Sequence, residues 1–423
     1  MLDINIVREK TDLVRESIKK RFLDDKLPIV DEVLKMDKRF RELKNEADEL
    51  KHERNDLSRK IADAKKGGKD AAPLLKRASE LPKKVDAMDE ELAKLETQIR
   101  ERLMKLPNLT HESVPLSKDE AENAVIRTFG KPVVLKFELK SHGELAEALG
   151  CADFTRSTKL SGAGFYFLKG GVALLNLGLI RFAVEYLVKK GFTYVEPPLM
   201  IRRKPYEGVI DLKDFEDVMY KIEGEDSYLI ATSEHPMVAQ FMDEVILEKD
   251  LPIKFAGYSM CFRKEIGSHG VDTRGLFRTH QFNKVEQVVF CKPGESWKIF
   301  DEICANTEGM YQLLEIPYRI INTVSGALSI VTAMRYDLEV WMPRQKEYKE
   351  AASCSNCLDY QARRLNIRYF DSQGNRIFPH SLNNTAIATS RALVAILENY
   401  QNQDGSITVP KVLQPYVGMK IIK

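Results

Sequence analysis

Apolar residues recur every three or four positions through residues 33–64, and do so again through residues 78–99. The first run is Val33, Met36, Phe40, Leu43, Ala47, Leu50, Leu57, Ile61 and Ala64, with Arg54 standing out of type in the seam. The second is Ala78, Leu81, Val85, Met88, Leu92, Leu95 and Ile99. This spacing puts each run on one stripe of a helix, and a stripe that narrow has to be covered by another helix. Between the runs lies Lys65-Lys66-Gly67-Gly68-Lys69-Asp70, a turn composition that continues neither helix comfortably. The sequence therefore predicts an antiparallel coiled-coil hairpin over about residues 31–106. At about 1.5 Å per residue, roughly 32 residues a side give an arm on the order of 45–50 Å long. Pro73 falls near the start of the returning helix, where a missing N–H is tolerated. Pro82 predicts a kink or a later start, and Arg54 is expected to snorkel to the surface.

A hairpin this thin leaves its outer faces free. Its tip carries Arg59, Lys60, Lys65, Lys66, Lys69, Lys76 and Arg77 against Asp63 and Asp70, a balance suited to a phosphate backbone. The arm alone leaves two other readings open, namely solvated coiled-coil flanks and a protein-binding or dimerising arm.

At 423 residues the chain is long enough for two or three domains. We divide it into a helical arm over 1–110 (with a short helical lead-in before the hairpin), a linker over 111–165 with strand-like pieces such as Val133–Phe137, and a domain over 166–423. Net charge is only +2, so any basic surface has to come from local segregation. No basic segment followed by an apolar run opens the chain. The longest apolar stretch, Gly171–Val188, contains Asn176, Arg181 and Glu185 and reads as a half-buried helix, not a membrane span. Six scattered cysteines argue for reduced thiols and a cytoplasmic location.

The last domain mixes strand-like runs (Tyr228–Ala231, Val285–Phe290, Tyr318–Asn322), Gly/Pro turns and amphipathic helices, an order that predicts an α+β fold with a largely antiparallel sheet. It has neither a P-loop nor a dinucleotide fingerprint. Its densest chemistry is Cys261-Phe262-Arg263-Lys264-Glu265, a loop, and then Phe277 to Glu286. If the second segment is a strand, Arg278, His280, Phe282, Lys284 and Glu286 share one face. A surface ion-pair ladder would look the same.

Phe262-Arg263-Lys264-Glu265 and the strand after it resemble motif 2 of the class II aminoacyl-tRNA synthetases. Gly267-Ser268-His269-Gly270 and Arg274 to Phe282 are similar to the seryl branch of that family. Lys190 to Pro198 resembles motif 1, the helix–strand–proline element at which members dimerise, and Thr389-Ser390-Arg391 opening Ala392–Tyr400 resembles motif 3. Thr232-Ser233-Glu234, Tyr336–Trp341, and Glu350 with Ser353 to Cys357 complete the set, which spans essentially the whole chain. The departures are Ala327, where many relatives carry Asp, and Met334, where Lys is common.

The resemblance implies an antiparallel-sheet catalytic domain with an N-terminal coiled-coil arm. It implies activation of L-serine by ATP and transfer to tRNA(Ser), and to a selenocysteine tRNA where one exists. Arg263 would bridge the α-phosphate and the serine carboxylate, with Arg391 beside it as the second catalytic arginine. ATP would be held by Arg263, Lys264, Glu265, Arg278, Thr279, Phe282, Glu350, Ala351, Ala352, Ser353 and Arg391. Within that set Phe282 would stack on adenine, Thr279 would offer backbone contacts, and Glu350 and Ser353 would carry Mg2+. Serine would sit among Thr232, Ser233, Glu234, Arg263, Glu286, Asn383 and Thr385. Its ammonium would be accepted by Thr232 and the carboxylates, and its hydroxyl by Glu286 and Thr385. Lys60, Lys65, Lys66, Lys69, Lys76 and Arg77 would meet tRNA. Cys354 and Cys357 match the zinc-free pattern, so no zinc is expected, and neither is a DNA or membrane partner; a homodimer is. Two rival readings are a catalytically dead relative that binds RNA or protein, and an enzyme that loads an amino acid onto a carrier protein. The first conflicts with the presence of Arg263, Glu286, Glu350 and Arg391, and the second with the long arm.

Overall fold

A computed structural model describes residues 1–423 apart from Lys69, Val133 and 266–274, and gives only the backbone at Lys213 and Asp214. The chain forms two compact units, Met1–Pro107 and Asn108–Lys423.

The first unit is helical. Short helices α1 (Ile4–Glu9) and α2 (Thr11–Lys20) precede α3 (Leu27–Lys66) and α4 (Ala72–Leu103), which pair along their length. Val33, Leu43, Ala47 and Leu57 on α3 and Leu81, Val85 and Ile99 on α4 are buried, and the other seam residues are half-buried. Arg54 points to solvent, as its break in the pattern implies. Ion pairs cross between the helices in antiparallel order, Arg39–Glu91 at 3.1 Å and Arg77–Glu53 at 2.7 Å. At the base, Asp37 is 3% exposed and takes hydrogen bonds from Arg8 and Arg41. Burial works against its ionisation, but the two guanidiniums outweigh that and hold its carboxyl below the usual range.

The expected break at Pro82 does not occur, because α4 runs through it. Leu81 and Val85 face the seam while Pro82 lies on the exposed side, where water can stand in for the missing bond.

The second unit is built on an eight-stranded sheet. In chain order its strands are β1 (Ala124–Phe129), β2 (Thr193–Val195), β3 (Ile253–Phe262), β4 (Gln281–Cys291), β5 (Tyr318–Asn322), β6 (Met334–Met342), β7 (Glu347–Asn356) and β8 (His380–Ala388). They lie in the spatial order β1-β5-β6-β7-β8-β4-β3-β2, and every pairing is antiparallel except β2 with β3. Residues 108–165 are part of this unit. They supply edge strand β1 and helix α5 (His142–Ala148), and the Asn108 side chain bonds the carbonyls of Val331 and Cys357. Val134–Phe137 form no strand, and Val133 lies outside the described residues.

One face of the sheet packs on α6 (Gly170–Lys189), α7 (Ser296–Leu313) and α8 (Thr389–Asn399) through Val285, Val289, Cys354, Leu382 and Ile387. By length and composition alone α6 is apolar enough to cross a membrane, yet Val172, Leu175, Leu179, Phe182, Ala183 and Leu187 are buried in this core. Beneath β4 and β8, Gln287, Asn306, Thr307 and Asn384 bond to one another and fix α7 to the sheet. Replacing Pro82 with Ala should stabilise the arm by about 1–3 kcal/mol by restoring a helical hydrogen bond, whereas Leu81→Ala should cost about 2–5 kcal/mol. Hydrogen exchange across residues 72–103 measures both.

Candidate active site

The other face of the sheet is polar, and strand register explains why. Paired residues in an antiparallel ladder point the same way. Glu286 on β4 faces Thr385 on β8 and Gly257 on β3, and Lys284 faces Ser259. Ser355 on β7 lies between Asn383 and Arg335, and Ser353 lies opposite Asp337 on β6. Phe282, Lys284, Glu286, Thr385, Asn383, Ser353, Ser355, Arg335 and Asp337 therefore share a single face.

Glu350 is three residues from Ser353 and would point away from it in a regular strand. The register shifts at this point, with Leu338 opposite Ala352 and Glu339 opposite Glu350, so Ala351 is the extra residue of a bulge. The bulge turns Glu350 onto the polar face.

This face floors a cavity of about 440 Å³ lined by Thr232, Glu234, His235, Arg263, Lys264, Glu265, Lys284, Glu286, Arg335, Glu350, Ser353 and Asn383, among others. A smaller cavity of about 80 Å³ shares Arg263, Glu265, Lys284, Glu350 and Ser353 with it and adds Arg278, Thr279, Phe282, Ala351, Ala352, Thr385 and Arg391. Every residue expected to meet ATP or serine lines one of the two except Ser233. That side chain is buried, and its hydroxyl donates to the Gly257 carbonyl. A Cβ on Gly257 would come within 2.5 Å of the Met237 sulfur, so the glycine lets the segment carrying Thr232 and Glu234 approach the sheet. Strand β4 begins at Gln281, which leaves Arg278 and His280 off the expected face. Arg278 is instead 3.7 Å from Glu265, and His280 stacks on Phe165.

Charge inside the cavity is carefully partnered. Glu234 accepts hydrogen bonds from Asn383 at 3.0 Å and from Gln361 at 3.2 Å. Burial, reinforced by the nearby Glu286 charge, pushes its pKa up to about 7. Glu286 is raised by burial, and Lys284 opposes that rise. Asp337, held by Thr323 and Arg335, is also raised by burial to about 7. Glu350 goes the other way. The loss of surrounding water works against its charge, yet the side chain stays nearly half exposed, and Arg391 at 3.1 Å and the charge of Arg335 hold its carboxyl low. The Arg263 guanidinium lies 5.3 Å from the centre of the Phe282 ring.

The sequence reading gave no role to Lys284, His235, Arg335, Asp337 or Ser355. Lys284 alternates with Phe282 and Glu286, and that was the available signal. The others are lined up by cross-strand register, which sequence does not display. All six cysteines are buried free thiols, and Cys354 belongs to the core on the opposite face. Among the described residues, no group of His, Cys, Asp and Glu has the arrangement of a metal site.

Because Glu234 titrates near 7 in the folded chain against about 4.5 unfolded, folding without ligand binds a proton, and stability falls as pH rises between those values. Glu234→Gln should remove that fall, raising the melting temperature of the free protein at about pH 8 by several degrees while weakening ligand binding. Thermal unfolding across pH measures it.

A seryl-tRNA synthetase N-terminal domain model matches residues 1–110, and a tRNA synthetase class II core domain (G, H, P, S and T) model matches residues 218–400. The serine–tRNA ligase of Methanoregula boonei is 55% identical, covering 99% of each chain. The crystal structure of seryl-tRNA synthetase from Pyrococcus horikoshii complexed with ATP is 46% identical with a TM-score of 0.94, covering 100% of this chain and 99% of that one. A cytoplasmic serine–tRNA ligase from Naegleria fowleri in complex with AMP is 36% identical with a TM-score of 0.90, covering 100% of this chain and 99% of that one.

Proposed function

The chain belongs to the seryl-tRNA synthetase family, and from that premise we propose how its own residues divide the work. It is an ATP-dependent ligase that joins serine to tRNA(Ser). In the first half-reaction the serine carboxylate attacks the α-phosphorus and pyrophosphate leaves, giving seryl-adenylate. In the second, a hydroxyl of the terminal tRNA ribose attacks the seryl carbonyl and AMP leaves.

Neither step needs a covalent enzyme intermediate, so catalysis comes from positioning and charge. Arg263 lines both cavities and is the residue we place between the α-phosphate and the serine carboxylate. Phe282, Thr279 and Glu265 form the adenine end, with Lys264 at its rim, Ala351 and Ala352 along its wall, and Arg278 and Arg391 toward the outer phosphates. Glu234 and Glu286 take the ammonium and the hydroxyl of serine, with Thr232 and Thr385 beside them. Asn383 holds Glu234, and Ser233 supports the turn. The observation that carries this reading is the pair of carboxylates Glu234 and Glu286 beside Arg263 in one cavity. Such an arrangement suits an amino acid better than a neutral ligand.

Glu350 and Ser353 fit Mg2+, because both present oxygen and the bulge at Ala351 brings them onto the face that lines both cavities. Bound there, the ion would neutralise charge on the phosphate oxygens. The position of Arg391 against Glu350 prepares the same corner for polyphosphate.

In the arm, Lys65, Lys66 and Lys76 are exposed and we assign them to the tRNA backbone. Lys60 pairs with Asp56 on its own helix and Arg77 with Glu53 across the hairpin; both side chains stay exposed and join this set. Lys69 lies outside the described residues. We assign residues 1–110 to gripping tRNA and 166–423 to catalysis, with 111–165, which folds into the same compact unit as the latter, joining them in sequence; a selenocysteine tRNA is a second acceptor where one exists, and the cytoplasm is the site of action. A homodimer is supported by Leu174, Leu177 and Val188, which α6 exposes, together with Tyr194, Leu199 and Met200. Deleting residues 31–106 should leave serine-dependent ATP–pyrophosphate exchange within about threefold of normal and abolish tRNA charging. Exchange lost together with charging would contradict this division of labour.

A further inference from the structure

Lys284 has no part in the assignment above, yet it occupies the centre of the site. Its side chain is 8% exposed and it lines both cavities. Its ammonium lies 2.6 Å from Glu286 Oε2 and donates to Thr232 Oγ1 at 3.0 Å. We propose that Lys284 is a positioning residue for serine selection, anchoring Glu286 and Thr232 so that each presents one defined hydrogen-bonding function to the substrate. The proposal rests on the placement of serine against Glu286 and Thr232.

Thr232 Oγ1 accepts from Lys284 and from the Glu234 backbone N–H at 3.2 Å. Two donors fill the two lone pairs of a hydroxyl, so the Thr232 side chain offers the substrate its proton and not, as the family resemblance implies, an acceptor for the ammonium. Glu286, 1% exposed, has one oxygen engaged by Lys284 and Thr385 as its other neighbour. A carboxylate fixed in this way is an acceptor only, and that is what a seryl hydroxyl needs in order to donate. Alanine leaves that acceptor buried and unmatched.

Burial alone would keep Glu286 protonated, and Lys284 is the largest influence opposing it. Among the described residues, the other charged or titratable groups around the pair are Arg263 after β3, Cys261 on β3, Cys354 on β7, and Glu234 and His235 from the segment above. His235 is driven to its neutral form by burial, and burial pushes the Cys261 thiol up, so neither supplies a compensating cation. Arg263 is the only other cation among them, and it is committed to the substrate carboxylate and phosphate.

The test is pyrophosphate exchange with the full-length enzyme carrying Lys284→Met, Lys284→Arg or Glu286→Gln, with thermal unfolding as the fold control. Lys284→Met should raise the serine KM on the order of 100-fold at about pH 7, because a buried carboxylate has lost its counterion. In that variant KM should fall by up to about tenfold per pH unit from about pH 7 to about pH 8.5, as Glu286 ionises later without its cation. The native enzyme should show no such slope, and Lys284→Arg, which keeps the charge, should recover at least about tenfold of the loss. A pH-independent loss in a folded Lys284→Met enzyme, or a serine KM unchanged by that substitution while Glu286→Gln raises it, overturns the role of Lys284 and leaves the placement of serine standing. A serine KM unchanged by both substitutions overturns the placement itself.

Discussion

Glu286 is 1% exposed at the middle of an eight-stranded sheet, and the cost of burying its carboxylate organises what surrounds it. Lys284, one pleat away on the same strand, supplies the counter-charge. Thr385 faces Glu286 from the neighbouring strand, and Gly257 on the other neighbour clears space for the Thr232–Glu234 turn. The sheet bears this load because its reverse face is an ordinary apolar core against three helices, stiffened by the buried amides of Gln287, Asn306 and Asn384. The polar face pays in stability for what the apolar face supplies. Glu234 and Asp337, both pushed up to about 7, show how unfavourable this polar face is for negative charge.

That tension is also what makes the cavity selective. In the proposed arrangement a ligand bringing an ammonium and a hydroxyl donor would relieve half-buried Glu234 and buried Glu286 at once, while its own carboxylate would meet Arg263. Ligands lacking either donor leave the site with its penalty intact. The neighbouring cavity, with Arg391 on Glu350 and Phe282 under Arg263, has the opposite character, which in the proposed arrangement would suit polyphosphate beside an aromatic platform.

Much of this could be read from residues alone. The hairpin seam is legible because two runs of apolar residues, Val33–Ala64 and Ala78–Ile99, each keep a helical period, and Arg54 announces its exposure by breaking it. Pro82 misled because helix propensity carries no information about which side of the helix faces water. Phe282, Lys284 and Glu286 were legible as one strand face, but the alternation was carried too far upstream, to Arg278 and His280, where the ladder has not yet begun. The bulge at Ala351, and with it the common orientation of Glu350 and Ser353, depends on how β7 aligns with β6, and no local pattern encodes that. Arg335 and Asp337 were hidden for the same reason.

The central claim is that half-buried Glu234 and buried Glu286, beside Arg263, read the ammonium and hydroxyl of one small amino acid. ATP–pyrophosphate exchange measured with serine, alanine, glycine, cysteine and threonine in turn tests it most directly. The account predicts kcat/KM for alanine and glycine lower than for serine by about 10⁴-fold, since an unmatched buried acceptor costs that much, with threonine rejected for its extra methyl. Alanine supporting exchange within about tenfold of serine would contradict it.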